Sequence, residues 1–286
     1  MDFNSHDVTY AVAYLDILGF SEFVEDAEKN PVKLQQLDKL FNEVIPREVL
    51  PDGRNSKYQA IFGMKCLSIS DSFIVSAPIS KDLTHPALVV VSMKAIQIAH
   101  ALLDMGFLVR GAINVGNVYR TDSNILGTGY QDAVKFGDKS GDHPQIVLTD
   151  KAANALNELL ANKMPRYSIF AKNELGKIIL NAIHPEPSYL PDPQGDVNEY
   201  FRKYRDTIRE NLSHDDLKAR TKWLWFTGLF NANVQYFSTI DKSLTIDQLP
   251  SITINYLNPP PPLEDNFKWA KPLMAPGVRV KINTDL

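Results

Sequence analysis

Val8-Thr9-Tyr10-Ala11-Val12-Ala13-Tyr14-Leu15-Asp16-Ile17-Leu18-Gly19-Phe20-Ser21 is the stretch whose reading decides the fold. Its first nine residues are apolar and β-prone, so they predict a strand. The strand ends on a carboxylate, Asp16, and Gly19-Phe20-Ser21 leads the chain out into a helical pattern. A carboxylate at the end of an apolar run is costly to hold unless a cation needs it. A second one stands in Leu67-Ser68-Ile69-Ser70-Asp71-Ser72-Phe73-Ile74-Val75. Tyr58 to Ser70 and Ser72 to Ala77 read as two strands meeting at Asp71, a hairpin. Brought together on neighbouring strands, Asp16 and Asp71 make an oxygen-rich site suited to Mg²⁺ or Mn²⁺. Metal held that way is the usual partner of a nucleoside triphosphate.

Working outward, helical patterns run from about Ser21 to Val44, broken near Asn30-Pro31. His85-Pro86 opens a helix to about Met105, with Leu88, Val91, Ala95, Ile98, Ala99 and Leu102 on one face. Phe107 to Val118 is a strand, Gly127 to Gly137 a Gly-flanked helix, Gln145 to Leu148 a short strand, and Thr149-Asp150 starts a helix through Leu160. The order β-α-β-β-α-β predicts an α+β, ferredoxin-like domain, an antiparallel sheet with helices on one face. From Tyr167 the character changes. A hairpin (Tyr167–Ala171, Lys177–Leu180) leads to a Pro-rich loop, then to helices over Val197–Leu212 and His214–Thr239. Pro259 to Pro262 is a polyproline run that cannot be helix. The expected division is a catalytic domain over 1–165 and, over 166–286, a C-terminal extension packed on it.

The bulk numbers bound the function. The chain has 286 residues with 44% hydrophobic and 22% charged, the balance of a globular protein. Its net charge of −4 gives no electrostatic case for binding nucleic acid or an anionic membrane. Any phosphate must be met locally, by metal and a few basic side chains. The single cysteine, Cys66, excludes an intramolecular disulfide, fits a reducing cytoplasm, and reads as a small buried hydrophobe. The polar N-terminus predicts no signal peptide, and no apolar run approaches the roughly 20 residues that span a bilayer. The six histidines form no i, i+4 pair, and there is no zinc spacing, nucleophile elbow or phosphate loop of the Walker type.

Residues 10 to 160 resemble the class III nucleotidyl cyclase catalytic domain. The family's first strand ends in apolar-Asp-Ile-apolar-Gly-Phe, and here Leu15-Asp16-Ile17-Leu18-Gly19-Phe20 stands in its place. Its second metal aspartate sits in a hairpin turn, matched by Ile69-Ser70-Asp71-Ser72-Phe73. A further strand is similar to Val109-Arg110-Gly111-Ala112-Ile113-Asn114-Val115-Gly116. The resemblance implies two metal ions per active site, Mn²⁺ or Mg²⁺, on Asp16, Asp71 and Ile17. It implies a triphosphate received at Leu18, Gly19, Phe20 and Arg110. It also implies a homodimer, because in this family the site lies between two catalytic domains. Arg110 has a second reading, a pair with an acid at the sheet edge.

Departures from the family carry the substrate question. The strand lysine that reads a purine is replaced by Leu67, with Lys65 two residues before it on the same strand face. A second base-reading position falls on Asn124. The ribose-orienting Asn aligns with Gln131 and the transition-state Arg with Lys135, four residues on and so on one helix face. Retained chemistry beside altered base readers looks like the pyrimidine cyclases of bacterial anti-phage systems of the Pycsar type. That resemblance implies a short cytoplasmic enzyme whose cyclic nucleotide is read by a separate effector protein. Tyr58 and Phe62 are candidates to fill the space a smaller base leaves. UTP is favoured slightly over CTP, since Asn124 could serve either by flipping its amide. Adenylate cyclase and a degenerate, non-catalytic nucleotide-binding domain are the competing readings. Trp223, Trp225 and Phe226 are expected to pack the C-terminal helices onto the core or against a partner.

Overall fold

The computed structural model describes residues 9–44, 63–79, 86–121, 123–139, 143–161, 169–247 and 254–256. The first strand, β1, spans Thr9–Leu18. Helix α1 (Phe20–Ala27) follows, then α2 (Pro31–Lys39). The break between them is chemical: the Asn30 side chain accepts from the Val32 N–H, and Pro31 occupies the first helical turn, where a missing N–H costs nothing. A π-helical turn, Leu40–Val44, ends this segment. Strands β2 (Lys65–Ile69) and β3 (Ser72–Pro78) form the expected hairpin. Helix α3 (Ala87–Asp104) leads to β4 (Leu108–Asn117), and the small ladder β5 (Tyr119–Arg120) and β6 (Ile125–Leu126) precedes helix α4 (Thr128–Lys139). Then come β7 (Ile146–Leu148), α5 (Asp150–Ala161), β8 (Phe170–Lys172), β9 (Ile178–Leu180), α6 (Val197–Leu212), α7 (Leu217–Tyr236) and β10 (Asn255–Tyr256).

The protein is α+β, built on one sheet in the order β10-β8-β9-β7-β4-β1-β3-β2. Within it, β4-β1-β3-β2 is the order that a β-α-β-β-α-β chain makes when each βαβ unit is split by an antiparallel strand. Every pairing is antiparallel except β4 with β7. The sheet does not stop at the expected boundary: strands on both sides of it share the sheet, because β9 pairs with β7 and carries β8 and β10 outward. The polyproline run, Tyr58 and Phe62 lie outside the described residues.

Alternation along β1 sorts the two faces. Ala11, Ala13, Leu15 and Ile17 enter the main core with α3 and α5, together with Phe73, Val109, Ile113, Ile146 and Leu148. Fifteen of the eighteen α3 side chains are buried. Contrary to the expectation that no apolar run approaches a bilayer's thickness, this helix is long and apolar enough, by length and composition, to cross a membrane; here most of its apolar surface is taken up inside the fold. Cys66 packs against the same core, and burial pushes its thiol up to about 11. The other face is covered too, which differs from the expected one-sided arrangement. Helix α4 lies there against β1 and β4, and α6 and α7 cover Leu108, Val147, Ala171 and Ile179. The reason lies in β7 and β9: Val147 and Ile179 are apolar on the second face, so that face also needs a cover. Trp223, Trp225 and Phe226 are buried in this second core, the first of the two packings, core or partner, open to them from sequence.

His100 keys α3 to the extension. It is fully buried, with Nδ1 3.0 Å from the Tyr204 hydroxyl of α6 and Nε2 3.0 Å from the His184 carbonyl. A carbonyl can only accept, so Nε2 carries the proton and Nδ1 accepts from Tyr204. Burial pushes His100 from 6.5 down to about 4, and the part-buried His184 is lowered too. A histidine in the unfolded chain titrates near 6.5, so below that pH the unfolded state takes up protons that the folded state refuses. Stability is therefore full above pH 6.5 and is lost progressively as pH falls toward 4. His100 alone accounts for about 3 kcal/mol across that window. Thermal melts between pH 7.5 and 4.5 are expected to show a midpoint falling by several degrees below pH 6.5; a midpoint flat to pH 4.5 contradicts this.

Candidate active site

Strand register brings the two aspartates to one end of the sheet. Asp16 lies opposite Ser72 of β3 on one side and opposite Arg110 of β4 on the other. The hairpin turn that holds Asp71 is bound to the same strand end, because the Ile17 N–H donates to the Asp71 carbonyl at 2.9 Å. Ser70, in this turn, has φ 54, a left-handed conformation that a short polar residue tolerates. Ile17 buries its side chain in the main core, so it can serve the site only through its backbone.

The Asp16 carboxylate is 14% exposed and accepts from Arg110 Nε through Oδ2 at 2.8 Å. Burial nonetheless raises its pKa, with Arg110 pulling it back and the Asp71 and Asp138 charges adding to the rise. Tyr14, two residues back on the same strand face, points into this group. Ser72 Oγ donates to the Tyr14 hydroxyl at 3.2 Å and lies 3.4 Å from Asp71 Oδ1. Burial raises the Tyr14 phenol, and Asp16, Asp138 and Asp71 reinforce the shift. The phenol is thus a neutral group among three carboxylates.

This chemistry fits a hard divalent cation. Among the described residues no group of three or more His, Cys, Asp and Glu gathers to hold a metal by itself. Two carboxylates and backbone oxygen suit Mg²⁺ or Mn²⁺, which keep most of their shell for substrate phosphates and water. The mutual repulsion felt at Asp16 is what such a cation would relieve.

Beyond Asp16 the chain turns at Gly19, whose φ of 79 explains the glycine; a Cβ there would meet no atom within 4 Å. Gly19 and Phe20 then deliver the first N–H groups at the start of α1, which an anion can use, whereas Leu18 is the last residue of β1 and pairs with Leu108. The Phe20 ring fixes this corner, standing 6.5 Å edge-on from both Phe41 and Phe107.

Helix α4 carries Gln131 and Lys135, both exposed, with Asp138 farther along the same face. Its seat on the sheet depends on glycines. A Cβ on Gly129 would lie 2.8 Å from the Gly116 carbonyl carbon of β4, and one on Gly137 would lie 3.2 Å from the Tyr14 ring. Asn114, fully buried on β4, donates to the Gly129 carbonyl at 2.9 Å and accepts from Thr149 at 2.6 Å. Gly129→Ala is therefore expected to lift α4 from β4 and to cost about 1–3 kcal/mol of stability. Urea denaturation checks this; unchanged stability contradicts it.

Leu67 packs with Val12, Ile74, Val118 and Ile125, beside Tyr10, Tyr14 and Tyr130. It thus shares the sheet face of Asp16. Lys65, opposite Ser76, is on the same face of the edge strand. Asn124 sits in the exposed β5–β6 turn, where its N–H takes Thr121 Oγ1 and its amide reaches Ser123. Arg110 pairs with an acid, as its second reading has it, but on the interior strands β4 and β1 rather than at the sheet edge. Tyr14, Ser72 and Asp138 were not singled out from sequence. The signals were there: Tyr14 is two residues from Asp16, and Asp138 follows Lys135 by three.

No known family profile matches the chain, and no curated protein matches it in sequence. Solved structures similar to it are nucleotidyl cyclase domains. One is the adenylate/guanylate cyclase/hydrolase from Silicibacter pomeroyi, at 15% identity and TM-score 0.38, with 60% of this chain and 94% of that one covered. Another is the non-canonical dimeric guanylyl cyclase domain of the RhoGC fusion protein from Blastocladiella emersonii, at 14% identity and TM-score 0.37, covering 60% and 92%. A third is the guanylate cyclase domain of RhGC from Catenaria anguillulae in complex with GTP, at 14% identity and TM-score 0.34, covering 60% and 93%.

Proposed function

We propose that this chain is a class III-type nucleotidyl cyclase. It converts a pyrimidine nucleoside triphosphate, UTP in preference to CTP, into the 3′,5′-cyclic monophosphate and pyrophosphate. The observation that carries the reading is the meeting of Asp16 and Asp71 at one sheet end, beside the N-terminus of α1. In this reading the N–H groups of Gly19 and Phe20 receive the triphosphate. The ribose 3′ oxygen attacks the α-phosphorus in line. The new O3′–P bond forms as the bond to the β-phosphate oxygen breaks; pyrophosphate leaves with that electron pair, and the hydroxyl proton passes to water. Lys135 meets the charge that develops on the α-phosphate, and Gln131 orients the ribose through its amide. Two divalent ions, held by Asp16, Asp71 and the Ile17 backbone, would supply the Lewis acidity that activates the hydroxyl and steadies the leaving group.

Gln131 and Lys135 are exposed and so can serve a second copy, which supports a homodimer with sites at the interface. Leu67 offers no hydrogen bond to a purine edge, and Tyr10, Tyr14 and Tyr130 crowd the apolar patch around it, which suits a smaller base. Following the Pycsar-type resemblance, the product would act in the cytoplasm as an anti-phage second messenger read by a separate effector. The Asp16–Arg110 pair favours a second reading, a domain that binds nucleotide without turnover.

The test is to incubate the purified protein with ATP, GTP, CTP and UTP together, with Mn²⁺, and to separate products by mass. Cyclic UMP as the main product supports the reading. Cyclic AMP or GMP overturns the base assignment. Nucleotide binding without product supports the second reading.

A further inference from the structure

Resting on that reading of the same site, we infer that Arg110 is a tethered cation that keeps divalent metal off Asp16 until a triphosphate arrives. Metal and nucleotide then bind cooperatively. The pairing is built into the backbone, since Arg110 and Asp16 are register partners on β4 and β1. It is a single-point contact, Nε to Oδ2 at 2.8 Å, between side chains 25% and 14% exposed. Among the described residues, the Arg110 side chain makes no other hydrogen bond. Its two Nη groups, the fork that grips a phosphate in a bidentate way, thus have no partner among the described residues.

The charges explain the coupling. A guanidinium cannot be deprotonated in a protein, so it cannot yield by losing its charge. A divalent ion taking the Asp16 carboxylate must sit beside that positive charge or displace it. A triphosphate gives the guanidinium a better partner, with several charged oxygens in reach of the free fork. It draws Arg110 away and opens Asp16 to the ion. Coupling of this kind is reciprocal, so metal must tighten nucleotide by the same factor. Among the described residues Asp71 has no such guard: its carboxylate meets only the Ser72 hydroxyl, at 3.4 Å.

The test measures Mn²⁺ binding to the full chain by water-proton relaxation, which separates protein-bound from nucleotide-bound ion. Wild type, Arg110→Gln, Arg110→Lys and Asp16→Asn are compared, each shown by circular dichroism to be folded. The probe nucleotide is α,β-methylene-UTP, which cannot lose pyrophosphate. Wild type should bind Mn²⁺ weakly alone and at least tenfold more tightly with the nucleotide. Arg110→Gln should bind Mn²⁺ alone about tenfold more tightly than wild type and gain little from nucleotide. Arg110→Lys, which keeps the charge, should stay near wild type even if the glutamine variant fails to fold. Equal Mn²⁺ affinity in wild type and Arg110→Gln, both losing it in Asp16→Asn, overturns the guard while leaving the metal site standing. No Mn²⁺ binding by any folded variant, with or without nucleotide, overturns the metal site and the guard together.

Discussion

Asp71→Ala is expected to lower cyclic nucleotide formation about a thousandfold or more, without unfolding the protein. The residue sits in a hairpin turn whose hold on β1 runs through its backbone carbonyl, accepting from Ile17 at 2.9 Å, and alanine keeps that carbonyl. Its carboxylate touches only the Ser72 hydroxyl among the described residues. On the proposed reading, what is lost is one of two anionic ligands for the divalent ions. Their stabilisation of the transferring phosphate is worth several kcal/mol, and each 1.36 kcal/mol is tenfold in rate. Initial rates with UTP and Mn²⁺, beside melting curves of both proteins, provide the check. A variant as stable as wild type but with more than a tenth of its rate contradicts the role given to Asp71.

His100→Ala carries the largest expected loss of stability. The ring is fully buried and uses both nitrogens, so alanine leaves a cavity, a Tyr204 hydroxyl without its acceptor and a His184 carbonyl without its donor. Cavity and stranded polar groups together cost about 3–5 kcal/mol. Tyr204→Phe, which removes only the hydroxyl, should cost about 1–2 kcal/mol. Urea denaturation measures both. A loss below 1 kcal/mol in His100→Ala contradicts the view that this residue keys α3 to the extension.

The parts of the fold legible in the sequence are those where local signals agree. Ala13 to Leu18 alternates in burial as a half-buried strand should, and Asn30-Pro31 marks a helix start by its own chemistry. The helices over Ala87–Asp104 and Val197–Leu212 lie where apolar spacing predicted them. The second face of the sheet was not legible. Val147 and Ile179 are apolar on both sides of short strands, and period alone does not say that α6 and α7 will cover them. The parallel pairing of β4 with β7 is likewise a long-range event with no local mark.

For the site, Asp16 and Asp71 stood out because charge at the end of an apolar strand is anomalous. Their neighbours did not. Ser72 and Tyr14 are ordinary strand residues until register sets them beside a carboxylate. Asp138 reads as a solvated helix residue until the packing of Gly129 and Gly137 lowers α4 onto the sheet. The Arg110–Asp16 pair depends on register across 94 residues, which no motif encodes.

In the proposed reaction this chain closes a nucleotide on itself rather than hydrolysing it. The product balance of one reaction decides between the two, with UTP and Mn²⁺ and with pyrophosphate and nucleotide products quantified together. Cyclic UMP and pyrophosphate are expected in equal amounts, with neither formed by Asp71→Ala. Release of inorganic phosphate with UDP, or of pyrophosphate with linear UMP, would contradict it.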